Sequence, residues 1–260
     1  MSFKTVSTFS VLGLLVLLFS TANAGISSSK HDLGTGGGGQ GSTSATTEIC
    51  VFCHTPHGSD VSAPAPLWNK TFPSTSYTRY SSLNTSSLDG TEAPVGSVSL
   101  ACLSCHDGSQ AMDVVINKPG SGGYDASGSE ISATEIGTMT GTPLPNLGSD
   151  LSNDHPISIQ YGGGGCSTTD IGCTTMGDSD FVSPATANIN GFQQWWVDTS
   201  SAGTREKTDM MLYTRTLSGV TQPFVECASC HDPHNASSTP VSFLRIDNEN
   251  SAVCLACHIK

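Results

Sequence analysis

The stretch CVFCHTPH at residues 50–57 decides how this chain reads. Cys50 and Cys53 stand three apart, and His54 follows at once. The same spacing returns at Cys102, Cys105 and His106, at Cys227, Cys230 and His231, and at Cys254, Cys257 and His258. Chance would supply about one hundredth of one such motif in a chain of this composition. Positions i, i+3 and i+4 of a helical turn share a face. Two thiols on that face can form thioethers with the vinyl groups of a haem, and the adjacent imidazole then lies under the iron as proximal ligand. Zinc held by four thiolates also uses paired C-x-x-C units, but needs no histidine after each of them. A disulfide within C-x-x-C marks a reactive redox site rather than a staple. The reading is therefore four haem c groups, attached at Cys50, Cys53, Cys102, Cys105, Cys227, Cys230, Cys254 and Cys257, with His54, His106, His231 and His258 as proximal ligands.

The other four histidines are His31, His57, His155 and His234, which matches the four sixth positions that four irons present. Met112, Met139, Met176, Met210 and Met211 are the rival sixth ligands. His57 and His234 lie three residues beyond His54 and His231, in Cys-His-Thr-Pro-His and Cys-His-Asp-Pro-His. So short a link cannot pass around the macrocycle edge, so each must serve a neighbouring haem. The expected assignment is His57 to the second haem and His234 to the fourth. His155 precedes a proline, which favours an extended backbone. His31 precedes the Gly-rich run Gly34–Gly41, a flexible tether by composition, and suits an arm reaching a distant haem.

Composition sets the outer bounds. The 260 residues carry 10 Lys+Arg against 22 Asp+Glu, a net charge of −12, which excludes nucleic acid as a partner. Lys4, the apolar run Val11–Phe19 and Ala22-Asn23-Ala24 form an export signal over residues 1–24. The run is too short to span a membrane. The expected location is extracellular or at the cell surface, with the periplasm as alternative. In an oxidising compartment, Cys166 and Cys173 are expected to form a disulfide.

Hydrophobic residues make up only 36%, and Gly, Ser and Thr are abundant. The haems are therefore expected to supply the core. The expected fold is a multihaem cytochrome c, mostly irregular coil with short helices and few short strands, such as Val220–Phe224 and Val241–Ile246, wrapped around a chain of four haems. Residues 25–48 form a flexible N-terminal arm, 49–118 a first two-haem module, 119–221 a haem-free middle segment, and 222–260 a second two-haem module. Trp195 and Trp196 are expected to cover haem faces or edges.

The segments CVFCHTPHG, CASCHDPHN and FLR…NSAVCLACH resemble the doubled C-x-x-C-H multihaem cytochromes. With four sites, the early His-Asp-Leu and the Gly-rich arm, the chain looks most like the OmcE-type extracellular cytochrome filaments. That resemblance implies bis-histidine haems in a continuous chain, with His31, His57, His155 and His234 distal. It also implies head-to-tail polymerisation with copies of itself, His31 being the best candidate to ligate the adjacent subunit, and exchange with redox-partner cytochromes and an extracellular electron acceptor. The expected role is electron transfer, not catalysis. A monomeric periplasmic shuttle and a multihaem reductase are the rivals, the latter requiring an open iron position.

Overall fold

The structure, a computed structural model, describes residues 25–37, 41–44, 46–119, 136–141, 145–235 and 243–259. The export signal, part of the Gly-rich run and the start of Val241–Ile246 lie outside the described residues. Its dominant element is an antiparallel sheet in the order β1-β5-β4-β3-β2. The strands are β1 (Ile159–Gln160), β2 (Ala185–Ile189), β3 (Phe192–Val197), β4 (Met210–Leu217) and β5 (Val220–Val225). This corrects the expected fold. The middle segment, residues 119–221, supplies four strands and the start of the fifth, and Val220–Phe224 is an interior strand rather than an isolated one.

Two tight hairpins build most of it. Asn190 (φ 53°) and Gly191 (φ 85°) join β2 to β3, and Ser218 (φ 51°) and Gly219 (φ 80°) join β4 to β5. Two-residue loops with positive φ at both positions match the twist of antiparallel strands. Cross-strand register then sorts the side chains. Trp195 faces Leu212 and Val197 faces Met210 on one side of the sheet, while Trp196 faces Met211 on the other.

The first side forms the main apolar core. Trp195, Val197, Met210 and Leu212 bury with Tyr161 and with Cys166 and Cys173, which are disulfide-bonded. Val253, Ala256 and Cys257 of helix α3 (Ala252–Cys257) pack against this cluster, as do Phe181 and Cys230. β5 runs directly into helix α2 (Cys227–Cys230), which packs on β4 and against helix α1 (Ser97–His106). A second, smaller cluster lies away from the sheet: Leu33, Phe52, Met112 and Met139, with Cys53 and Cys105 packed on it.

Glu226 ties these parts together. Its side chain is fully buried and accepts hydrogen bonds from Ser99 of α1 (2.6 Å), Ser158 (3.0 Å) and Arg215 of β4 (3.1 Å). It also forms a capping box with Ser229 at the start of α2. Among the described residues, no helix is long and apolar enough to cross a membrane.

Candidate haem-attachment sites

Each C-x-x-C-H unit sits on one turn of helix or its equivalent. The second, third and fourth units lie in α1, α2 and α3. The first forms a single turn in which His54 N–H donates to the Cys50 carbonyl at 2.8 Å. Beyond that turn the chain extends. His54 bridges to Trp68, His231 to Leu244 and His258 to Phe181, and the His106 carbonyl accepts from Leu147 N–H at 2.7 Å.

Six of the eight histidines face one another in pairs. Ring centres of His54 and His234 are 6.1 Å apart, those of His31 and His106 6.1 Å, and those of His155 and His258 6.5 Å. These separations fit an iron held between two imidazoles. Metal–nitrogen bonds of about 2 Å, with about 1 Å from nitrogen to ring centre on each side, give about 6 Å in all.

The far side of five of these six rings is also arranged for a metal ligand. His54 Nδ1 lies 2.7 Å from the Pro66 carbonyl oxygen, His106 Nδ1 2.8 Å from that of Pro145, and His155 Nδ1 3.0 Å from that of Pro156. His31 Nδ1 is 3.5 Å from the Pro233 oxygen, and His234 Nδ1 is 3.5 Å from Asp232. Donation from Nδ1 to such acceptors fixes the tautomer that leaves Nε2 for the metal. Pro66 and Pro145 each stand two residues before the residue that meets the motif histidine's backbone, Trp68 or Leu147. Sequence reasoning missed these carbonyls and Asp232. The usable signal was the repeated Pro-x-apolar step, at separations of 12 and 39 residues from the histidine.

Three placements differ from expectation. His234 faces His54 of the first motif rather than His258 of the fourth. His57 is exposed and faces no other imidazole. His31 does not extend outward. It stacks on Phe243 at 4.0 Å opposite His106, because Leu33 buries in the small cluster and Asp32 accepts from Ser28 and Gly34 N–H groups. That leaves His231 as the one C-x-x-C-H histidine without a facing imidazole among the described residues.

The thiols of consecutive sites are neighbours. Burial, then Cys105, pushes the Cys53 thiol up to about 12. A hydrogen bond between Cys102 and Cys227 raises the first and lowers the second. Burial, then Cys230, pushes Cys257 up to about 12. Among the described residues, no three or more His, Cys, Asp or Glu side chains converge as a metal cluster. Burial, then His106, lowers His31 to about 4, which keeps it in the neutral form that binds metal. The His231 ring reaches solvent but is crowded. Partial burial first, then His106 and Arg245, hold it below its ordinary value.

Residues 222–260, which span the last two units, match the family model of the doubled CXXCH motif. No curated protein matches the chain. The doubled motif indicates covalently bound haem c and supports a multihaem c-type cytochrome involved in electron transfer, a class typically exported.

Proposed function

We propose that the chain carries four covalent haems, each with two axial imidazoles, and passes electrons from site to site and onward into a neighbouring copy of itself outside the cell. The observation that carries this reading is the set of three imidazole pairs at separations of 6.1 to 6.5 Å. When bound, haem supplies one-electron oxidation and reduction at iron. The polypeptide fixes the ligands. Prolyl carbonyls and Asp232 orient the rings, and the adjoining cysteines Cys53 and Cys105, Cys102 and Cys227, and Cys230 and Cys257 keep consecutive sites close.

The remaining two histidines extend the reading to assembly. His231 needs a sixth ligand, and His57 is an exposed imidazole with no partner ring. A His57 from one copy completing the third site of the next gives a heterologous contact that propagates as a filament. This replaces His31 as the crossing ligand, since His31 faces His106 within its own chain.

A His57→Ala variant tests this directly. Four haems are expected by intact mass, with filaments lost in negative-stain microscopy. The freed monomer is expected to bind carbon monoxide at one reduced iron. Normal filaments from this variant would defeat the crossing ligand. Carbon monoxide binding by wild-type filaments would favour a reductase, with the third site open.

A further inference from the structure

Lys70 has no exposed surface. Its Nζ donates to the carbonyl oxygens of Ala111 (3.0 Å), Met112 (3.3 Å) and Val114 (2.7 Å). Three acceptors match the three N–H bonds of an ammonium, whereas a neutral amine has two. The geometry therefore identifies the charged form. All three partners are neutral carbonyls, so none of them cancels the charge. A buried cation held this way is expensive to place, and its location shows what it acts on.

That location is the junction of the first two sites. The neighbouring Asn69 N–H donates to the Cys53 carbonyl at 2.9 Å. Met112, whose carbonyl holds the ammonium, buries in the cluster on which Cys53 and Cys105 pack. The loop carrying the three carbonyls follows directly on α1 and its His106.

We infer that Lys70 is a fixed positive charge that favours the reduced state of the first two haems over the third and fourth. This rests on the haem reading above. Reduction places one electron from the donor on iron and removes one unit of positive charge there. A neighbouring fixed cation therefore favours the reduced state. In a buried setting the effect is stronger than at the surface and poorly screened by salt. The chain would then hold electrons preferentially at its first two sites, giving the route a direction of easiest filling.

The test is an optical redox titration of the haem-loaded protein as wild type, Lys70→Met and Lys70→Arg, with haem content read by intact mass. In Lys70→Met, the midpoint potentials of two haems are expected to fall while the other two hold, and the fall is expected to persist at high salt. Lys70→Arg is expected to titrate like wild type. A fully loaded Lys70→Met protein with a wild-type titration would overturn the inference. If Lys70→Met does not load, Lys70→Gln keeps two of the donors without the charge and is expected to show the same fall. Failure of both to load, with Lys70→Arg loaded, would assign the cation to haem attachment instead and also overturn it. A wild-type chain without added haem mass would defeat the underlying reading rather than this one.

Discussion

Residues 49–118 and the sheet of residues 159–225 are held together by different means. The sheet has backbone ladders and an apolar core that includes Trp195, Val197, Met210 and Leu212. The first region contains α1 and little other regular structure. It relies on polar side chains that reach distant backbone. Buried Asn69 donates to Val51 and Asn117 carbonyls at 2.6 and 2.7 Å and accepts from Asn117 N–H at 2.8 Å. Lys70 clamps the loop at 111–114, and Asn117 Nδ2 holds the His57 carbonyl at 2.6 Å. Its apolar cluster, shared with Leu33 and Met139 from outside it, has four buried members, with Cys53 and Cys105 packed on it as Cys230 and Cys257 pack on the sheet core. The comparison teaches where the prosthetic groups matter most. The sheet has the larger apolar core and its own backbone ladders, whereas the first region has a small core that a covalent macrocycle would complete.

Removing one haem is the largest way to break that contrast. Cys102→Ser with Cys105→Ser should delete one haem by mass. Hydrogen exchange should then show amides of 49–118 losing most of their protection while those of β3, β4 and β5 keep theirs. Equal loss in both regions would show that the sheet depends on haem as well.

Glu226 sharpens the contrast, because it joins α1 of the first region to β4 and α2. Glu226→Ala leaves Arg215 without its buried partner and should cost about 3–5 kcal/mol in denaturant unfolding. Its titration gives a signed test. Burial raises the carboxyl above its ordinary value, held back by Ser99, Arg215 and Ser158. The folded chain therefore holds this proton more tightly than the unfolded chain. This contribution is fully present below the ordinary glutamate value of about 4.3 and is lost as pH rises through the folded value. Glu226→Gln does not titrate, so the stability of wild type minus that of the variant should fall as pH rises from about 4. A difference that grows with pH would mean the Arg215 pairing outweighs burial.

The doubled motif over residues 222–260 was legible because it is local: a cysteine pair and its histidine are read from five consecutive residues. Much of the sheet was also locally written, although the coil reading missed it. Ile189-Asn190-Gly191-Phe192 and Leu217-Ser218-Gly219-Val220 are two-residue hairpin signals, and Gln193–Val197 and Met210–Leu217 are rich in β-formers. Weighing Gly, Ser and Thr content as coil hid them. The histidine pairing was not local. His31 finds Pro233 across 202 residues. Its arm docks because Leu33 meets Phe52, Met112 and Met139, a surface that three separated segments make together. Composition alone reads that arm as a tether.

The smallest perturbation asks whether the sheet edge is independent of the haem sites. Gly191 has φ 85°, and an added Cβ would meet nothing within 4 Å. Gly191→Ala therefore introduces no clash, only the strain of a left-handed backbone, about 1 kcal/mol. β2 is an edge strand, and its hairpin partner β3 remains paired with β4. Urea unfolding should register that loss while the haem absorption spectrum and haem content stay as in wild type. A much larger loss, or release of haem on unfolding of the hairpin alone, would mean that this edge strand supports the haem sites through Trp195 and the cluster around Cys257. The self-sufficient sheet would then be no more independent than the first region.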